Sequence, residues 1–205
     1  MLKWKKNMKN YLNKIIINIS LIIITLSCTA QNNKQIKCGK YDDGQLEVFI
    51  DNEHLYGYIN ISEAVNCRLF FWGKLEDENK LISIYNPIDE TISRGSLTYS
   101  DKIITFETDE MLLPCQRIID IKRGWTFDYS SNSKWENCKF DFIKQEKSSL
   151  YISPNQLTKK KSYLVKNDIV LIFQENGEWV KIKYINNEKS FFWIKKRDLF
   201  NIKFQ

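Results

Sequence analysis

The sequence predicts an all-β protein in two successive parts, the first an antiparallel meander closed as a barrel or packed as a sandwich. Three observations carry this. From Gln45 onward apolar and polar residues alternate at period two, broken by short polar turns. No stretch keeps helical period for more than about two turns. After Gly124 the alternation gives way to a Ser/Asn-rich stretch, and a second set of strand-like runs starts at Cys138.

The chain has 205 residues, and the first 27 are expected to be a signal peptide outside the fold. Lys3, Lys5, Lys6, Lys9 and Lys14 form a basic start with no acidic residue, followed by an apolar run of twelve, Ile15 to Leu26. A membrane-spanning helix needs roughly 20 apolar residues, so the run is short for a span. The leader also explains the charge. Without its five lysines, 26 basic residues face 25 acidic ones, a net of +1 instead of +6. The basicity therefore belongs to the leader and is no argument for a nucleic-acid partner, which would need a clustered basic surface. The run Lys159-Lys160-Lys161 reads as a solvated loop. Around Cys28 the sequence "TLSCTAQ" resembles a bacterial lipoprotein cleavage box, which implies lipidation of Cys28 and a membrane anchor. The rival is cleavage after Ala30, giving a soluble periplasmic chain.

Either route removes Cys28 from thiol chemistry and leaves Cys38, Cys67, Cys115 and Cys138. An even number in an exported chain reads as two disulfides, with three possible connectivities. The favoured set is Cys67–Cys115, tying the start of one strand to the end of a later one, with Cys38–Cys138 as the remainder. The cysteine spacings of 29, 48 and 23 residues and the single histidine give no zinc pattern, so no metal or cofactor is expected.

The first part, 31–130, begins with Leu46, Val48 and Ile50 against Glu47, Phe49 and Asp51. A turn at Asp51–His54 leads to Leu55, Gly57, Ile59 and Ile61 on one face. Cys67, Leu69, Phe71 and Leu75 repeat the pattern. "EDEN", "KLISIYNP", "GSLTYS", a turn at Asp101-Lys102 and "IITFETDE" follow. Ile118 to Lys122 is the nearest helical candidate. The acidic pairs Asp42-Asp43, Asp77-Glu78, Asp89-Glu90 and Asp109-Glu110 fall at turns and read as hairpin tips, not as catalytic carboxylates. "WTFDYSSNSKWENC" reads as a connector, with the boundary near Ser131.

The second part, 134–203, contains "CKFDFIKQ", "SLYISP", "KSYLVKNDIVLIFQE", "EWVKIKYIN" and "SFFWIKKRDLF". In the strand after Gly177, Val180, Ile182 and Tyr184 share one face while Trp179 shares the other with Lys181 and Lys183. An apolar ring on a wet face is either covered or awaiting a partner.

These residues carry a resemblance. Leu150–Pro154, Tyr163–Val170, Asn176–Ile182 and Phe192–Ile194 with Asp198-Leu199 match, in order, the segments of bacterial SH3-like domains over about 65 residues. Asn167 stands where that family has a turn glycine, Glu178 is inserted before Trp179, and Phe192 replaces the glycine before Trp193. The resemblance implies a small SH3-like barrel. It also implies an aromatic groove for extended peptides, with Trp179, Trp193, Tyr151 and Tyr163 as candidate ligand residues. The first part more faintly resembles the N-terminal domain that accompanies SH3-like domains in exported bacterial proteins, through Cys67–Leu75 and Leu113-Pro114-Cys115. That likeness supports the Cys67–Cys115 pairing.

The expectation is a non-enzymatic envelope protein that binds a peptide, peptidoglycan or an envelope protein. The alternatives are an inhibitor or immunity protein against a wall-degrading enzyme, and a carrier of an apolar ligand inside the first barrel. A thiol hydrolase would need His54 beside Cys67. The sequence holds no phosphate loop, nucleophile elbow or H-E-x-x-H helix.

Overall fold

A computed structural model describes residues 36–61, 67–75, 79–115, 124–133, 138–185 and 187–204. The expected leader, Cys28 and the helical candidate Ile118–Lys122 lie outside these. The described residues contain fourteen strands and no α-helix.

Eight strands form the first part: β1 (Gly39–Tyr41), β2 (Leu46–Asp51), β3 (His54–Ile61), β4 (Cys67–Lys74), β5 (Asn79–Asn86), β6 (Thr91–Ser100), β7 (Ile103–Glu107) and β8 (Trp125–Asn132). Each pairs with the next, and β8 returns antiparallel to β1, so the meander is a closed barrel. Closure removes the two exposed edges an open meander would present. Short turns set the hairpins, with left-handed backbone at Asn52 (φ 54°), Asp101 (φ 50°) and Lys102 (φ 71°). Inward residues such as Leu46, Val48, Leu55, Ile59, Leu69, Ile84, Leu97, Phe106 and Phe127 converge on one core. Gly57 faces inward opposite Phe71. A Cβ there would lie 2.1 Å from the Phe71 ring and 2.6 Å from the Glu47 carbonyl oxygen, so only glycine lets that ring fill the interior.

The expected connector is instead the closing strand. Trp125 and Phe127 point inward and alternate with exposed Thr126 and Asp128, an alternation hidden by the Ser/Asn-rich residues that follow. Ser131, taken as the boundary, pairs with Lys40 inside the barrel ladder.

The Cys67–Cys115 disulfide is formed, joining the start of β4 to the segment after β7. The expected Cys38–Cys138 bridge is not made, and both residues are half-buried thiols. Cys138 is held elsewhere, against the aromatic cluster between the barrel and the second sheet, by the ladder that starts at Lys139. Burial there pushes its thiol pKa upward, and the nearby Asp51 carboxylate adds to the rise.

Six strands form the second part: β9 (Lys139–Phe142), β10 (Lys147–Tyr151), β11 (Lys159–Val165), β12 (Ile169–Asn176), β13 (Trp179–Tyr184) and β14 (Asn187–Lys195). They make one antiparallel sheet in the order β11-β10-β14-β13-β12-β9. The sequence run Lys161–Glu175 divides into β11 and β12 at Asn167, whose φ of 67° suits asparagine in place of glycine. One face encloses a core of Ile143, Leu150, Leu164, Val170, Val180, Ile182, Ile194 and Leu199.

The other face, at its β9 and β12 end, packs on the outer wall of β2, β3 and β4. Phe140, Phe142, Ile169 and Leu171 meet Phe49, Tyr56, Phe70, Trp72 and Tyr85 there. Phe142 stacks on Phe70 at 4.5 Å and on Tyr85 at 5.1 Å between ring centroids. The C-terminal segment seals the seam through Phe200, Ile202 and Phe204, and the Trp72 indole donates to the Lys203 carbonyl at 3.0 Å.

Candidate functional site: an aromatic and basic face on the second sheet

Strand alternation places Tyr151, Trp179 and Trp193 on the outward face of the second sheet. Tyr151 pairs with Trp193, and Trp193 with Lys181 one strand further on. Tyr163 lies on the edge strand β11, 50% exposed, with the Lys147 ammonium 5.0 Å from its ring centre.

Trp179 is not an open platform, because it is only 7% exposed. The Lys195 ammonium sits 3.6 Å from its ring centre, and the Tyr151 ring meets it edge-on at 4.8 Å. Lys195 is itself 5% exposed and donates to the Glu178 carboxylate at 2.7 Å. A desolvated cation over an indole is a strong contact of its kind, about 2 kcal/mol. Glu178, directly before the tryptophan in sequence, therefore supplies the counter-charge for the lysine that covers it.

The open part of this face lies beside Trp179. Phe173 and Phe191 are 42% and 45% exposed and meet edge-to-face at 4.9 Å. Lys181 and Lys183 place their ammonium groups 4.9 and 4.8 Å from the Phe191 ring centre. Half-buried Trp193 continues the row. Phe191 was legible, since it shares Trp193's parity in "SFFWIKK". Phe173 was less so, because a bulge between Ile172 and Gln174 redirects β12. Exposed rings flanked by ammonium groups offer apolar shelves for a ligand's rings or C–H groups and cations for its carboxylates.

Two clefts open where the barrel wall meets the second sheet. The larger, about 250 Å³, is lined by Tyr85, Glu90, Lys144, Gln145, Lys166 and Phe200. Of its two lysines, Lys166 is already engaged, because it pairs with Glu90 and lies 3.4 Å from Glu146. The smaller, about 90 Å³, contains Arg68, Asn167 and Asp168. Near it Glu47 is buried on the outer wall, accepting from the Tyr58 hydroxyl at 2.6 Å and the Ser133 hydroxyl at 3.1 Å. Burial, then the adjacent Glu47 charge, raises the Tyr58 pKa, so the phenol stays a donor.

His54 and Cys67 do not meet. His54 opens β3 and packs on Phe204 at 3.8 Å, whereas Cys67 pairs with Ile61 at the far end of β3 and is oxidised. At about 3.3 Å per residue the eight-residue ladder separates them by roughly 23 Å. Among the described residues no group of three or more His, Cys, Asp or Glu side chains is placed to hold a metal ion. The barrel interior that a carrier would need as a lumen is occupied by core side chains, among them Tyr41, Phe71, Phe106, Trp125 and Phe127. Among the described residues no helix is long and apolar enough to cross a membrane. The disulfide points to an oxidising, extracytoplasmic location.

No family model matches this chain, and no curated protein or solved structure matches it either.

Proposed function

We propose that this is a non-enzymatic protein of the cell envelope, held at a membrane by lipidated Cys28, whose second sheet binds a peptide or cell-wall component. One observation carries the reading: Phe173 and Phe191 stay open to solvent, beside half-buried Trp193, on the same face as Lys181 and Lys183. A small domain with its own filled core has no folding reason to leave two phenylalanines almost half exposed. Peptidoglycan offers both partners this face suits, sugar C–H surfaces for the rings and peptide carboxylates for the ammonium groups.

The test is co-sedimentation of the mature chain with insoluble peptidoglycan. The parent is expected to pellet, and Phe191→Ala with Trp193→Ala to weaken retention at least tenfold while the thermal midpoint holds. A parent that stays in the supernatant overturns the wall-binding reading. Trp179→Ala is a poor probe, because it removes a covered ring and destabilises the sheet.

A second reading, an inhibitor of a wall-degrading enzyme, draws on the barrel. Ile88, Ile92 and Met111 are 61%, 57% and 66% exposed around the β5–β6 turn and the segment after β7. Crosslinking to a co-purifying hydrolase through these residues, with no pelleting on peptidoglycan, would select it.

A further inference from the structure

The hairpin of β10 and β11 combines three features that the ligand face does not use. Its tip is closely hydrogen-bonded and carries two exposed aliphatic side chains. Ile152 and Leu157 are 70% and 92% exposed, yet the turn that carries them is closely bonded. The Ile152 amide donates to the Thr158 carbonyl at 3.2 Å, the Leu157 amide to Asn155 Oδ1 at 2.9 Å, and the Thr158 hydroxyl to the Asn155 carbonyl at 2.8 Å. The Tyr151–Lys159 pair closes its neck. These apolar side chains are therefore presented by an ordered turn.

The hairpin is also strongly cationic. From Lys147 to Val165 there are four lysines and no acidic residue, whereas the whole chain after the leader nets +1. Lys159, Lys160 and Lys161 are exposed directly after the tip. Lysines on an edge strand discourage strand-to-strand aggregation, and β11 is an edge. That explains the charges but not two bare aliphatic side chains beside them. Finally, Tyr163 stands on the same strand, half exposed with Lys147 against its ring, an amphipathic side chain suited to a polar–apolar boundary.

We propose that the β10–β11 hairpin docks on an anionic lipid surface. Ile152 and Leu157 enter the boundary between headgroups and acyl chains. Lys159, Lys160 and Lys161 contact the anionic headgroups, with their stems lying along the apolar layer. Such an element would add a second membrane contact to the lipidated N-terminus of the proposed function.

The experiment uses the chain from Cys28 onward with Cys28→Ser, so that neither leader nor lipid contributes. It is sedimented with vesicles of phosphatidylcholine alone or with about a third phosphatidylglycerol. The parent is expected to pellet with the anionic vesicles only, and to be released as salt shortens the reach of the charges. Replacing Lys159, Lys160 and Lys161 by glutamine should weaken binding on the order of a hundredfold, from about 1 kcal/mol per lysine at an anionic surface. Ile152→Asp with Leu157→Asp should weaken it at least tenfold. Both variants alter only exposed side chains, and unchanged circular dichroism verifies their fold. Equal pelleting with both vesicle types, or parent-like binding by the Asp variant, overturns the proposal. So does loss of peptidoglycan retention in the Asp variant when the parent ignores vesicles, since the tip would then be a wall contact.

Discussion

The barrel wall has two unlike halves. Strands β2 to β4 are buried on both faces, with only scattered half-exposed positions, whereas β6 to β8 alternate buried and exposed residues. Inside, both halves supply the same core. Outside, the first half carries Phe49, Tyr56, Phe70 and Trp72, and the second carries residues such as Arg94, Thr126 and Asp128. The difference marks where the second sheet docks. It also shows how a strand signals double burial, because "LFFW" in β4 is a continuous apolar run of the kind expected of strands covered on both faces.

The doubly covered half of the wall depends most on Phe70. Phe70→Ala on the outer face of β4 is expected to cost about 3–5 kcal/mol, as much as Phe127→Ala inside the barrel, because both rings are fully buried. Urea unfolding measures both. A Phe70 cost near that of a surface change would mean that the outer seam is loosely packed. The disulfide joins the two halves, from the start of β4 to the segment after β7. Its 48-residue separation gives roughly 4 kcal/mol by the chain-entropy relation, so Cys115→Ser should lower stability by about that amount.

Asp141 tests the seam by pH. It is 3% exposed on β9, where it accepts from the Phe142 and Asn201 amides at 2.8 and 3.1 Å. Burial outweighs those bonds and pushes its pKa up to about 7. The folded chain therefore holds the proton more tightly than the unfolded one. The stabilising contribution is fully present below about pH 4 and is lost as pH rises through 7. Between pH 5 and 7 the parent should lose roughly 2–3 kcal/mol from this group, and Asp141→Asn should flatten that slope in denaturant titrations. The smallest effect belongs to the outer face of β8. Thr126→Ala should stay within about 0.5 kcal/mol of the parent.

Much of the local structure was legible. Period two in "LEVFI" and "WVKIKY" gave strands, and Asn52, Asp101 and Asn167 marked turns because these residues accept positive φ. The Trp179 face was assigned correctly, but what lies on it was not. Lys195 comes from the neighbouring strand and Tyr151 from a third, so no local window contains the cover. Strand β8 was missed for a related reason, since its exposed side is Ser/Asn-rich and its partner β1 lies some ninety residues earlier.

Alternation and turn chemistry act over a few residues, so they set the all-β class, the parity of most strands and many of the turns. Closure of β1 on β8, the covering of the β2–β4 outer wall and the burial of Trp179 were decided only by tertiary structure. Each depends on which distant strand lies against a face, and alternation records only that a strand has two faces, not what covers them.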